Sequence, residues 1–212
     1  MRTGRPRSFC KDEALDRAMT IFWRHGYEGA SLAGLTEAMG ISSPSLYACF
    51  GSKEGLFKAV LERYDQRREA FMKSVLAASD AAAVAEAFLY GVAAFAADTS
   101  GQNPPGCLML QGGLSCGGTS EIPDALARHR AEKEAMLRER LEAARKSGDL
   151  AKTSNPAALA RYLSAIANGI CVQAAAGATP KELREVAAIA LAGWPAAQAA
   201  RAATPAKAKA AV

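Results

Sequence analysis

Apolar residues recur at helical spacing along almost the whole chain, and no convincing stretch alternates apolar with polar residues as a half-buried strand would. Alanine is abundant and β-branched residues are sparse, which favours the same backbone state. The expected fold class is therefore all-α. With 212 residues there is chain enough for one large or two small domains and a real core. No segment approaches the roughly 18 uninterrupted apolar residues of a membrane span. The opening MRTGRPR is polar and basic with no apolar run behind it, so the expectation is a cytoplasmic protein with no secretory signal and no membrane partner.

The distribution of charge says more than the net +5. Arg2, Arg5 and Arg7 crowd the first residues, Arg201, Lys207 and Lys209 the last, and the stretch between them is close to neutral. That arrangement suits a short arm touching a polyanion, not a body coated in positive charge. The five cysteines form no CxxC pair and have only His25 and His129 to assist them. Neither a metal site nor a disulfide scaffold is expected.

Glycine, proline and small polar residues punctuate the helices. The first carries Ala14, Leu15, Ala18, Met19 and Phe22 on one stripe, with Gly26 as its C-terminal cap. Ser31 precedes a short helix ended by Gly40. Ile41 and Ser42 turn the chain, Pro44 opens a third helix that ends near Phe50-Gly51, and Ser52 caps a longer fourth. Further helices are expected at about 80–98, 106–116, 122–147, 155–177 and 180–194. The Ala/Pro/Lys composition after Pro195 reads as a disordered tail.

Residues 31–50 have the spacing of a helix-turn-helix, with Leu35, Met39, Ile41, Leu46 and Phe50 as the expected buried set. The other face of the second helix presents Ser43, Ser45, Tyr47, Ala48 and Cys49. Spacing alone fits either a plain helical hairpin or a DNA reader whose hydroxyls reach base edges or phosphates. Phe9 to Phe57, containing GYEGASLAGLTEAMGISSPSLYACFGSKEGLF, closely resembles the DNA-binding domain of the tetracycline-repressor (TetR) family. The resemblance rests on Tyr27, the Gly40-Ile41 turn, the Leu46-Tyr47 pair, and Phe50 followed by Ser52-Lys53-Glu54. It implies that Ser31, Tyr47 and Lys53 bind phosphate, that Ser43 and Ser45 lie at the groove floor, and that position 49 faces DNA. Relatives often carry a polar or aromatic side chain there, and Cys49 departs from that. Just before this motif, Gly4-Arg5-Pro6-Arg7 suits insertion of Arg5 and Arg7 into a narrow minor groove.

The implied organisation is a basic arm (1–8), a three-helix helix-turn-helix domain (9–55), a helical effector-binding and dimerisation domain (56–195) and the tail (196–212). The implied partners are a palindromic double-stranded operator, a small-molecule effector and a second copy of the chain. The last two helices mix apolar with small residues (Ala165, Ala167, Gly169, Ala174), which suits a two-fold bundle. Trp194, with little chain after it, is expected to need that second copy for cover. Candidate pocket residues are Phe71, Phe88, Tyr90, Phe95, Cys107, Met109, Met136 and Tyr162, since Met and aromatic side chains line adaptable pockets but also fill cores. Cys107 and Cys116 allow an alternative, a thiol sensor of oxidants or electrophiles; both also fit as small buried hydrophobes. A non-specific DNA-compacting protein draws on the tail but sits badly with the near-neutral body. No GxSxG, P-loop or HExxH occurs, so no catalytic residues and no cofactor are expected.

Overall fold

A computed structural model describes residues 10–98, 101, 103–111 and 121–195. Among them the only regular elements are α-helices: α1 (Lys11–Gly29), α2 (Leu32–Met39), α3 (Ser43–Phe50), α4 (Lys53–Leu76), α5 (Ala81–Ala97), α6 (Leu108–Gln111), α7 (Ile122–Ser147), α8 (Pro156–Ala175) and α9 (Pro180–Ala192). The fold is all-α, with a helix-turn-helix near its N-terminus. Arg5, Arg7, Cys116 and the tail from residue 196 lie outside the described residues. Of the helix expected at 106–116 only Leu108–Gln111 is described, because 112–120 lie outside too.

Local chemistry explains the ends. Gly26 takes φ 69°, a left-handed value that favours glycine, so α1 breaks there; one more helical turn follows to Gly29 and carries the chain past the expected cap. Asn155 caps α8, and Thr179 with Glu182 forms a reciprocal capping box on α9. The two Thr179 donors, the backbone N–H first, hold the Glu182 carboxyl below its usual range.

Two compact units emerge, residues 1–70 with 98–130 and residues 71–97 with 131–212. The first unit takes in most of α4. In that unit Phe22, Met19, Leu35, Leu46, Leu56, Phe57 and Leu61 are fully buried. Arg63 and Arg67 of α4 bind Asp16 of α1 at 3.0 and 2.6 Å. Burial opposes ionisation of Asp16, but the Arg63 hydrogen bond and the two cations outweigh it and hold the carboxyl below its usual range.

In the second unit α5 packs on α8 and α9. Leu89, Val84, Leu163, Ile170, Leu183 and Ala187 fill the space between them. Arg140 donates to the carbonyls of Leu76 and Ala78, the negative end of α4. Glu134 of α7 meets Arg161 of α8 at 3.1 Å. Trp194 departs from expectation: it is 1% exposed within its own chain, so no second copy is needed to cover it. The large apolar residues left exposed on α8 and α9 include Tyr162, Val172, Val186 and Ile189.

Candidate nucleic-acid interface

The α2–turn–α3 segment is fixed by its caps. The Ser31 hydroxyl oxygen accepts from the Gly34 N–H at 3.0 Å, starting α2. Gly40, at φ 68°, ends α2 with its N–H on Glu37 and the following Ile41 N–H on Thr36. Ser42 then caps α3 by accepting from the Ser45 N–H, and Pro44 sits where its missing N–H leaves no bond unmade. Leu35, Met39 and Leu46 are buried between the helices. Truncating a Leu in such a place costs about 2–5 kcal/mol. Ile41 and Phe50, expected in the same buried set, are only half-buried. Phe50 lies at the edge of the motif, with the Lys11 ammonium 5.6 Å above its ring.

What remains outward on α3 is the face expected from sequence. Ser43, Ala48 and Cys49 are exposed, and Tyr47 is 47% exposed with its hydroxyl at the end of a rigid ring. Ser45 is half-buried and shares a 2.9 Å hydroxyl–hydroxyl bond with Ser42. At the start of α4 the Ser52 hydroxyl accepts from the Gly55 N–H at 2.9 Å. A β-carbon at Gly55 would run into the Phe50 carbonyl, so glycine is what lets α4 begin so close to the end of α3.

Lys53, the first residue of α4, holds its ammonium 4.7 Å above the Tyr27 ring and donates to the Glu28 carbonyl at 3.4 Å. Tyr27 is itself stacked on Phe22 at 6.2 Å and tilted against Phe57 at 5.3 Å. Sequence reasoning singled out Tyr27 only as part of a pattern; the structure gives it a task, seating the phosphate-binding candidate Lys53. An aromatic residue directly after the Gly26 break was the signal available.

The effector candidates are divided between the units. Cys107 and Met109 are buried in the first. In the second, Phe71 and Phe95 meet edge to face at 5.1 Å over Gly91, whose missing side chain makes room for the Phe71 ring. Phe88 is buried, Met136 is half-buried, Tyr90 lies under the Arg184 guanidinium, and Tyr162 donates from the rim of α8 to the Ala190 carbonyl at 2.9 Å. Phe71 and Phe95 are thus brought together by a direct ring contact. Among the described residues no group of three or more His, Cys, Asp or Glu could hold a metal ion, and no helix is long and apolar enough to cross a membrane.

The capped α2–turn–α3 pair, with one helix face left outward and a cation at the head of α4, defines a helix-turn-helix DNA-binding protein. A family model described as "Bacterial regulatory proteins, tetR family" matches residues 14–60. The transcriptional repressor ComR of Escherichia coli K12 is 36% identical over 193 residues, 91% of this chain and 92% of its own. The repressor BdcR of the same organism is 48% identical over 61 residues, 29% of this chain and 31% of its own. A cysteine-substituted form of the TetR-family regulator CifR, solved with a 26-bp operator duplex, superposes with a TM-score of 0.83 at 40% identity, covering 90% of this chain and all of that one. The chain belongs to the TetR family of bacterial regulatory proteins. It is a DNA-binding transcriptional regulator and not an enzyme.

Proposed function

We propose that the protein is a cytoplasmic repressor that binds a palindromic operator as a homodimer and releases it when a small-molecule effector acts on the helices beyond residue 69. The observation that carries the DNA half is the outward face of α3. In this reading Ser43 and Ser45 address base edges, with Ser45 exchanging its Ser42 partner for a base, and Cys49 faces the groove. Tyr47 and Ser31 bind phosphate. The Ser31 oxygen already accepts from Gly34, which leaves its hydroxyl proton to donate. Lys53 swings from Tyr27 to phosphate, giving up a cation–π contact of about 0.5–1 kcal/mol for a charge-assisted bond. Arg5 and Arg7 extend into the adjacent minor groove.

The dimer reading rests on α8 and α9. Ile189 is 76% exposed, Val172 and Val186 are exposed too, and a β-carbon at Gly169 would meet nothing within 4 Å of its own chain. An apolar surface flanked by small residues supports close approach of a second copy. A shallow cavity of about 600 Å³, lined in part by Ala165, Gly169 and Val186, lies on the same surface. A homodimer on a palindrome is expected to hold its two α3 helices about 34–36 Å apart, one turn of B-DNA. Sizing the purified protein at micromolar concentration tests this. A dimer is expected, and a persistent monomer that still binds a palindrome tightly would contradict it.

For the effector, the Phe71–Phe95 pair supports an apolar ligand bound reversibly beside α5, with α4, continuous from Lys53 to Leu76, carrying the shift to the DNA-binding end. A second reading, a thiol signal at Cys107, is favoured by the groups that surround its sulfur in the first unit.

A further inference from the structure

The Cys107 thiol is not a lone small hydrophobe. The Tyr64 hydroxyl lies 3.3 Å from its sulfur, and the Arg68 guanidinium donates to that hydroxyl at 2.7 Å while standing 3.9 Å from the sulfur. Tyr64 and Arg68 are one turn apart on α4, and Cys107 immediately precedes α6. Once the thiol ionises, the Tyr64 O–H can only donate to it, because a thiolate carries no proton. A cation and a hydroxyl thus converge on one buried sulfur, and both interact favourably with negative charge there. Burial, first, and the adjoining sulfur raise the Tyr64 hydroxyl well above its ordinary range, so it keeps its proton and remains a donor. The Trp23 ring packs edge to face on Tyr64 at 5.3 Å, and its buried indole N–H has no hydrogen-bond partner among the described residues.

We propose that Cys107 is an oxidation site for small uncharged hydroperoxides, with Arg68 and Tyr64 as its positioning residues, and that its oxidation releases DNA; the release step rests on the repressor reading above. The thiolate sulfur attacks the terminal oxygen of the hydroperoxide. The S–O bond forms as the O–O bond breaks, sulfur loses two electrons to the peroxide, and the alkoxide leaves as an alcohol with the proton the thiol gave up. The product is the sulfenic acid of Cys107. The reagent must be small and uncharged because Cys107 is only 8% exposed. The new oxygen must be fitted beside Tyr64, and well-packed interiors take such additions only by moving neighbours. Those neighbours are Trp23 of α1 and the middle of α4, the two helices that frame α2 and α3 and are tied by the Asp16 pairs.

The experiment exposes reduced full-length protein to tert-butyl hydroperoxide and, separately, to iodoacetamide, and follows each cysteine by peptide mass. Cys107 should gain one oxygen about tenfold faster than exposed Cys10, and Arg68→Gln should remove most of that advantage. Operator affinity should fall about 5–150-fold on oxidation, and not in Cys107→Ser, while Cys171→Ser behaves as the parent. Equal rates at Cys107 and Cys10 overturn the site, and a rate untouched by Arg68→Gln overturns the role of Arg68. Modification by iodoacetamide alone overturns the choice of hydroperoxide. Fast oxidation with unchanged operator binding overturns the release step. A reduced protein that binds no duplex overturns the repressor reading instead, leaving the oxidation rates to stand on their own.

Discussion

Replacing Gly55 by Ala separates two effects of opposite sign. In an ordinary helix the change stabilises by up to about 1 kcal/mol, because alanine surrenders less backbone freedom. Here the new β-carbon would meet the Phe50 carbonyl, which belongs to backbone and cannot rotate away. Forcing extra atoms into a filled site costs about 1–3 kcal/mol, so the net expectation is a loss of roughly 1–2 kcal/mol. The strain falls where α3 ends and α4 begins, so it also moves Lys53 from its place beside Tyr27. Urea unfolding reads the first effect as a lower midpoint at unchanged slope. Fluorescence anisotropy with a labelled duplex reads the second as weaker binding to every sequence. A Gly55→Ala protein that is more stable than the parent and binds DNA equally well would refute the close approach of the two helices.

Lys53→Ala and Tyr47→Phe are expected to weaken binding to all duplexes, and Lys53→Ala to lower the magnitude of the salt slope by about one, read from a titration series in added salt. Ser43→Ala should instead relax preference at one position of each half-site, by at most about 1–3 kcal/mol, measured with a panel of single-base variants. The pairing of Asp16 with Arg63 and Arg67 lowers its folded-state pKa, so its stabilisation is present at neutral pH and is lost as pH falls through and below the usual carboxylate range. Acid titration of the parent against Asp16→Asn should show the two stabilities converging at low pH. Stabilities that stay apart there would contradict that assignment.

The parts of the fold that could be read from sequence are those decided within a few residues. Ser31, Gly40, Pro44 and Ser52 act locally, through one cap or one turn each, and the helices begin and end around them. The outward face of α3 follows from helical spacing once Leu46 is assigned to the core. Hidden from sequence were the contacts between distant segments. Tyr64 and Cys107 are 43 residues apart, and nothing local to either marks the other as a partner. Trp194 looked uncovered because few residues follow it, yet burial is decided by the packing of the second unit, which spacing along α9 does not reveal. Lys53 was legible as a cation at a helix start, but not as one seated on Tyr27. The aromatic residues of the helical region could be listed but not gathered, since whether rings converge depends on how the helices pack.

The central claim, that the outward face of α3 reads DNA sequence, is tested most directly by selecting bound duplexes from a randomised pool with the purified protein and sequencing the survivors. The account predicts enrichment of one inverted repeat with half-sites about one helical turn apart, bound about 10³-fold or more tighter than unselected duplex at physiological salt. Survivors with no shared sequence, held with equal affinity whatever their bases, would contradict it and favour the non-specific compacting reading instead.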